Sequence, residues 1–236
     1  MIHLLRPILL ILCFIFSSGL VLAQTVVEHT AWASIFNTTK INDRWGVQYD
    51  MHFRLANDYK YLRNLLVRPA VIYNINKTNH VGLGYVLYDT FGQTSATPTL
   101  TEHRIYEQYT HLQSAKAIVI THRFRIEQRF IERAAPTNIF SQRFRYFVRA
   151  VIPLAKQKAA FTKGMYTAVQ DELFVNLQNK NEINGSMFDQ NRVAATIGYR
   201  FSKQLDIEAG YHNQFVKRTA NNLSNNIAQL TFYTRF

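Results

Sequence analysis

The sequence predicts an all-β fold, an antiparallel up-and-down transmembrane β-barrel of ten to twelve strands. Three observations carry that prediction. Apolar and polar residues alternate with a period of two over long segments, the links between segments alternate between short and long, and the last segment is amphipathic and ends on an aromatic residue. Successive side chains of a strand point to opposite faces, so such alternation makes one apolar and one polar face. Strands of soluble domains run about five or six residues, whereas about nine to eleven tilted residues cross a bilayer. The segments here have the second length.

The clearest segment is Arg44 to Leu55, where Trp45, Val47, Tyr49, Met51, Phe53 and Leu55 alternate with Arg44, Gly46, Gln48, Asp50, His52 and Arg54. Leu65, Val67, Pro69, Val71 and Tyr73 oppose Asn64, Arg68, Ala70 and Asn74 in the next. Phe124, Ile126 and Phe130 oppose Arg123, Arg125, Glu127 and Arg129. Phe144, Tyr146, Val148, Ala150 and Ile152 oppose Arg143, Arg145 and Arg149. Val193, Ala195, Ile197, Tyr199 and Phe201 oppose Arg192, Thr196, Gly198 and Arg200. Leu205, Ile207, Ala209, Tyr211 and Phe215 oppose Asp206, Glu208, Gly210, His212 and Gln214. Weaker segments fall near 26–37, 81–90, 101–112, 166–177 and 226–236.

That makes eleven segments, whereas single-chain bacterial barrels have even strand counts. The expectation is that one strand is missing from this set, or that 26–37 is not a full membrane strand. Short links lie near Thr39–Asp43, Asn76–Asn79, Ser114–Lys116 and Ser202–Lys203. Longer ones lie near Ala56–Tyr61, Gly92–Thr99, Arg133–Ile139, Gln178–Gln190 and Lys217–Asn225, the habit of outer-membrane barrels. Leu154–Gly164 breaks the rhythm, being long where a short link is due.

Residues 1–23 read as a secretory signal peptide: a basic start with Arg6, an apolar run from Ile8 to Phe16, and small Ala23 before the expected cleavage. The run is too short for a comfortable spanning helix. The barrel domain is then 24–236. The single cysteine, Cys13, leaves with the signal, so no disulfide or thiolate metal site is expected. Loss of Arg6 leaves 26 basic against 15 acidic side chains, a net charge of +11. Such a balance suits anionic partners, but export and the spread of arginines along strands argue against nucleic acid.

Charge on a lipid-facing position costs up to several kcal/mol near the midplane. The polar faces therefore turn inward, carrying Arg54, Arg68, Arg104, Arg123, Arg125, Arg129, Arg143, Arg145, Arg149, Arg192 and Arg200. Asp50, Glu102, Glu127, Glu172, Asp206 and Glu208 accompany them. Two readings of this lumen stay open. One is an anion-selective or acidic-ligand interior; the other is a plug of ion-paired side chains, since barrels of about eight to ten strands have little free interior.

No catalytic constellation is legible. Seven histidines remain after processing (His29, His52, His80, His103, His111, His122 and His212), none in a recognisable His–Ser arrangement. His212 with Glu208 could form an acid–base couple, although a satisfied interior histidine explains it more simply. Asp171-Glu172 is an unusual acidic pair, because adjacent residues face opposite sides; Glu172 facing the arginines is its simplest explanation. No metal site or cofactor is expected from the spacings.

The last strand places Leu230, Phe232 and terminal Phe236 on one face, with Thr234 where an apolar residue is usual. A final aromatic of this kind resembles the signal that barrel-assembly machinery reads. Phe188-Asp189-Gln190-Asn191-Arg192, running into Ile197-Gly198-Tyr199-Arg200-Phe201, resembles the domain of unknown function 2490 family. So do Gly210-Tyr211-His212-Asn213-Gln214, Asp171-Glu172-Leu173-Phe174-Val175-Asn176, and Arg68 with Gly82-Leu83-Gly84-Tyr85. The motifs keep the family's order over nearly the whole exported chain. The resemblance implies an outer-membrane barrel of a Gram-negative bacterium and no particular activity. The expected location is therefore the outer membrane, with lipid and the assembly machinery as partners and a small anion as a possible ligand. A small pore or a ligand-binding or structural barrel fits best. A lipid- or lipopolysaccharide-modifying enzyme and a soluble periplasmic barrel with the faces reversed are the alternatives.

Overall fold

The computed structural model describes residues 25–236 apart from 57, 95, 116, 134–137 and 156–160; the expected signal segment 1–23 and its cleavage point lie outside the described residues. Eleven strands follow one another: β1 (Thr25–Lys40), β2 (Trp45–Ala56), β3 (Tyr61–Asn74), β4 (Asn79–Thr90), β5 (Leu100–Ala115), β6 (Ile118–Ile131), β7 (Ile139–Pro153), β8 (Gly164–Gln178), β9 (Phe188–Arg200), β10 (Leu205–Val216) and β11 (Asn222–Arg235). One short helix, α1 (Lys180–Ile183), sits in the link between β8 and β9. Each strand pairs with its neighbours in sequence, and β1 pairs with β11 to close the barrel.

The eleven segments read from the alternation are thus the eleven strands, and the expectation of an even count does not hold. The segment 26–37 is a full strand, extended at both ends to Thr25–Lys40. An odd number makes the first and last strands run the same way, so the ring closes through a parallel seam, from Thr25 opposite Asn222 to Thr38 opposite Arg235. A parallel ladder still satisfies backbone donors and acceptors, and leaving the seam open would expose two strand edges. The chain end seals its lower rim. Lys40 N donates to Phe236 O at 2.6 Å, and Phe236 N donates to Thr38 O at 2.9 Å.

The links from β1 to β2, β3 to β4, β5 to β6, β7 to β8 and β9 to β10 lie at one end of the barrel, here the turn end. Two of them fold around an asparagine. Asn42 Oδ1 accepts from the backbone of Arg44 and Trp45, and Asn76 Oδ1 accepts from that of Thr78 and Asn79, all at 2.9 Å. Asparagine does this because its short side chain mimics a backbone carbonyl. The other links form the loop end, where Thr25 begins β1; Phe236 lies at the turn end.

Packing inside the barrel depends on two cross-strand glycine–tyrosine pairs. Gly84 faces Tyr106 and Gly198 faces Tyr166. A Cβ on Gly84 would lie 2.3 Å from Tyr106 Cζ, and one on Gly198 2.4 Å from Tyr166 Cζ. Each ring lies across the bare backbone opposite it, which no larger residue would allow. Tyr106 also joins Leu66, Ala70, Ile72 and Val86 in an apolar patch on the inner wall of β3 to β5. The alternation missed this patch, because its members break the polar inner face of those strands.

Candidate functional site

The interior is charged and the exterior is apolar. On β6, Arg125 and Glu127 are 3% and 0% exposed, while their neighbours Phe124 and Ile126 are 40% and 42% exposed. The reversed arrangement, with apolar residues inside and charges outside, is not the one adopted.

Most inward arginines share carboxylates with other strands. Glu127 receives Arg143 at 2.6 Å and Arg145 at 2.5 Å, with Arg125 at 3.8 Å and Arg104 at 4.0 Å. Glu102 receives Arg104 and Arg129, each donating through two nitrogens at 2.6–3.2 Å. Glu172 receives Arg145 at 2.7 Å and Arg123 at 2.9 Å. Toward the turn end, Arg149 pairs with Glu208, which also accepts from Tyr166 at 2.8 Å. Arg200 and Arg235 hold Asp206 at 2.9 and 2.7 Å. Arg68 donates to Asp50 at 2.6 Å. Most of these pairs link adjacent strands, while Arg123 with Glu172 and Arg149 with Glu208 reach across two and three strand positions. A guanidinium's planar fork suits such bridging.

Two arginines stand apart. Arg54 is 8% exposed, its Nε is buried without a partner, and it makes no hydrogen bond or ion pair among the described residues. Its guanidinium carbon lies 3.8 Å over the Trp32 ring. Arg192 makes no ion pair among the described residues; its Nε donates to Gln190 at 3.2 Å, and it packs over Phe174 at 4.6 Å and Trp32 at 5.4 Å. Two adjoining cavities of about 220 and 200 Å³ lie beside them, and Arg54, Tyr88, Gln214 and Val216 line both. Seven arginines and two carboxylates line the second; the first has three arginines, no carboxylate, and reaches Arg218 at the loop end.

The structure assembles a serine, a histidine and an aspartate that the sequence pattern had not brought together. Ser34 Oγ is 2.7 Å from His52 Nδ1, and His52 Nε2 is 3.2 Å from Asp50 Oδ1. Arg68 Nη2 is 2.8 Å from the same Nε2. Arginine can only donate and a carboxylate only accept, so Nε2 cannot serve both. The shorter contact, from Arg68, makes Nε2 the acceptor, which puts the neutral ring's proton on Nδ1 and has it donate to Ser34. A nucleophilic serine requires the opposite, a histidine nitrogen that accepts its proton. In this arrangement Ser34 anchors a ring and is not activated.

His212 and Glu208 do not form a couple. His212 Nδ1 shares a hydrogen bond with Gln229 Oε1 at 2.8 Å, and its ring meets Trp32 edge-on at 5.0 Å. Of the acidic pair, Glu172 points inward, while Asp171 lies on the outer side and accepts from Asn191 at 2.6 Å. Gln128 answers Glu107 on the outer face in the same way, at 3.1 Å. Asp189, absent from the inward acids expected, receives Arg143 at 2.7 Å. Its neighbour Gln190 is buried too, because the register between β8 and β9 shifts at Phe174/Val175 and the strict in–out parity fails there. Leu230 is exposed on the outside of β11, and Phe232 and Phe236 share its parity.

The family described as Protein of unknown function (DUF2490) matches residues 29–225. The chain belongs to this family. An uncharacterized protein of Methylorubrum extorquens is 23% identical over 234 residues, covering 98% of each chain. No solved structure matches. Several stretches that resemble DUF2490 line the second cavity of this DUF2490 barrel: Asp189, Gln190 and Arg192 from one, Gln214 from another, and Arg68.

Proposed function

We propose that this DUF2490 protein is an outer-membrane barrel that binds a small anion in a lumen closed to through-flow. The carrying observation is the inverted distribution of side chains, with charges inside a closed barrel and apolar residues outside. A soluble monomer rarely exposes a continuous apolar band, whereas the exterior of an outer-membrane barrel requires one. Strands of 12 to 16 residues, at about 3.3 Å per residue, are long enough to cross with tilt. The signal-like segment and the terminal Phe236 support export and insertion through the assembly machinery. Closure of the lumen is supported by Glu127, Glu102 and Glu172, whose arginine partners occupy the interior.

The reading is tested by fractionation and conductance. The protein partitions with outer membranes, needs detergent for extraction, migrates faster on gels when unboiled, and gives no steady conductance in planar bilayers. Deleting Phe236 lowers the assembled amount and raises periplasmic degradation. Recovery as a soluble protein without a heat-dependent shift overturns the membrane reading; a stable conductance overturns the closed lumen.

A further inference from the structure

We propose that Arg54 and Arg192, gathered around Trp32, form the binding site for a doubly charged tetrahedral oxyanion, the phosphate or sulfate group of a small solute entering from the loop end. This rests on the reading of the lumen as a closed, anion-binding interior and gives that reading a place and a ligand class.

The argument begins with an electrostatic imbalance. Burying an ion without a partner is strongly unfavourable, and the other inward arginines in the barrel show how the chain avoids it, through carboxylates or amide oxygens. Arg54 has neither, although it is nine-tenths buried. Arg192 has a single amide, Gln190 Oε1, which also accepts from Gln214 at 2.5 Å. Both side chains line the second cavity, and Arg54 lines the first as well. Ring faces hold the two guanidiniums in place, so their free N–H groups are oriented before a ligand arrives. Stacking of this kind attracts the cation but leaves its in-plane donors unused.

Two uncompensated positive charges match a divalent oxyanion better than chloride, because several oxygens can accept from both forks at once. A cavity of about 200 Å³ has room for more than the bare ion, and Tyr88 and Phe174 offer apolar surface to an attached organic body. Arg218 at the first cavity extends the positive potential toward the loop end, which draws anions inward; Arg63 beside it is paired with Glu28 at 2.6 Å.

Trp32 makes the site observable. The chain has two tryptophans, and the other, Trp45, lies exposed on the outside against Tyr73. The experiment uses the full exported chain folded in detergent with Trp45→Phe, titrated with inorganic phosphate, sulfate and chloride at constant ionic strength. Phosphate and sulfate change Trp32 emission saturably and raise the unfolding temperature; chloride does neither. Arg54→Gln and Arg192→Gln each weaken phosphate binding about tenfold or more, the loss expected for hydrogen bonds to a charged group. Lys203→Gln, at the opposite end, leaves it unchanged. The unboiled gel shift shows which variants are folded. If neither arginine variant folds, the unmodified-arginine protein decides, since absence of a saturable phosphate or sulfate response there overturns the proposal. So does an equal response to chloride, or undiminished binding in a folded Arg54→Gln protein. Each of these can occur while membrane partitioning and zero conductance persist, so failure of the site and failure of the closed-barrel reading are distinct results.

Discussion

The wall from β5 to β9 and the sector around Trp32 use the same side chain in opposite circumstances. Along the wall, Arg143 and Arg145 converge on Glu127, and Arg104 and Arg129 on Glu102, within hydrogen-bonding distance. Around Trp32, Arg54 is buried and Arg192 half-buried, and both meet ring surfaces without a carboxylate partner among the described residues. In the first region arginine supplies cross-links. In the second it supplies charge that no carboxylate among the described residues pairs with. Residue type alone therefore does not separate structural from ligand-directed arginines; the carboxylate inventory around each one does.

The comparison breaks most readily at Glu127. Glu127→Ala removes the acid that Arg143 and Arg145 share, leaving them Asp189 and Glu172, and should cost about 3–5 kcal/mol, the usual penalty for breaking a buried ion pair. Arg54→Gln removes an unpaired charge and should change stability by about 1 kcal/mol or less. Urea unfolding of the detergent-folded protein measures both, and equal losses would erase the distinction between the two regions.

A second pair sharpens the contrast between inner and outer surface. Phe124→Arg should destabilise by about 2–4 kcal/mol if its position lies near the bilayer midplane, whereas Arg125→Gln should still assemble. Arg125 donates to Gln108 at 2.7 Å and stacks on Tyr106 at 3.9 Å. Assembly of the phenylalanine variant together with loss of the arginine variant would reverse the assignment of faces.

Gly84→Ala probes the packing beneath that stack. The added methyl forces Tyr106 to move, and overpacking of this size costs about 1–3 kcal/mol. Thermal unfolding followed by the unboiled gel shift reads the effect; an unchanged midpoint would mean that Tyr106 has room to give.

The smallest effect belongs to an ion pair in water. Lys40 and Asp43 approach to 2.6 Å in the first turn with their side chains largely exposed. The lysine's hydrogen bond and charge hold the Asp43 carboxyl below its ordinary pKa. A depressed folded pKa contributes stability above the unfolded value and loses it as pH falls through the folded one. Because solvent screens the pair, Asp43→Asn should leave both the unfolding midpoint and its acid dependence unchanged. A measurable loss would show that exposure alone does not set the worth of these pairs.

The strand segments were legible in the sequence because a barrel wall imposes one environment on each face along its whole length. Phe124 to Arg129 and Val193 to Arg200 could be sorted residue by residue for that reason. The parity failed at Asp189 and Gln190, where a register shift turns two neighbours inward. It failed again at Leu66, Ile72 and Val86, which are apolar yet inside, because an inner wall accepts apolar groups wherever they meet one another. Ser34, His52 and Asp50 could not be assembled beforehand either, since their contacts depend on how β1 and β2 are aligned.

What the sequence by itself determined was the fold class, the eleven segments and the side of the wall on which most charges lie. These follow from period-two patterning, a local property. Tertiary structure decided that β1 closes on β11 in parallel, because closure depends on the direction of strands about two hundred residues apart. It also decided which arginines meet an acid. Partners such as Arg149 and Glu208, or Arg54 and Trp32, come from different strands, and their meeting is set by stagger and curvature around the ring, quantities that no single strand encodes.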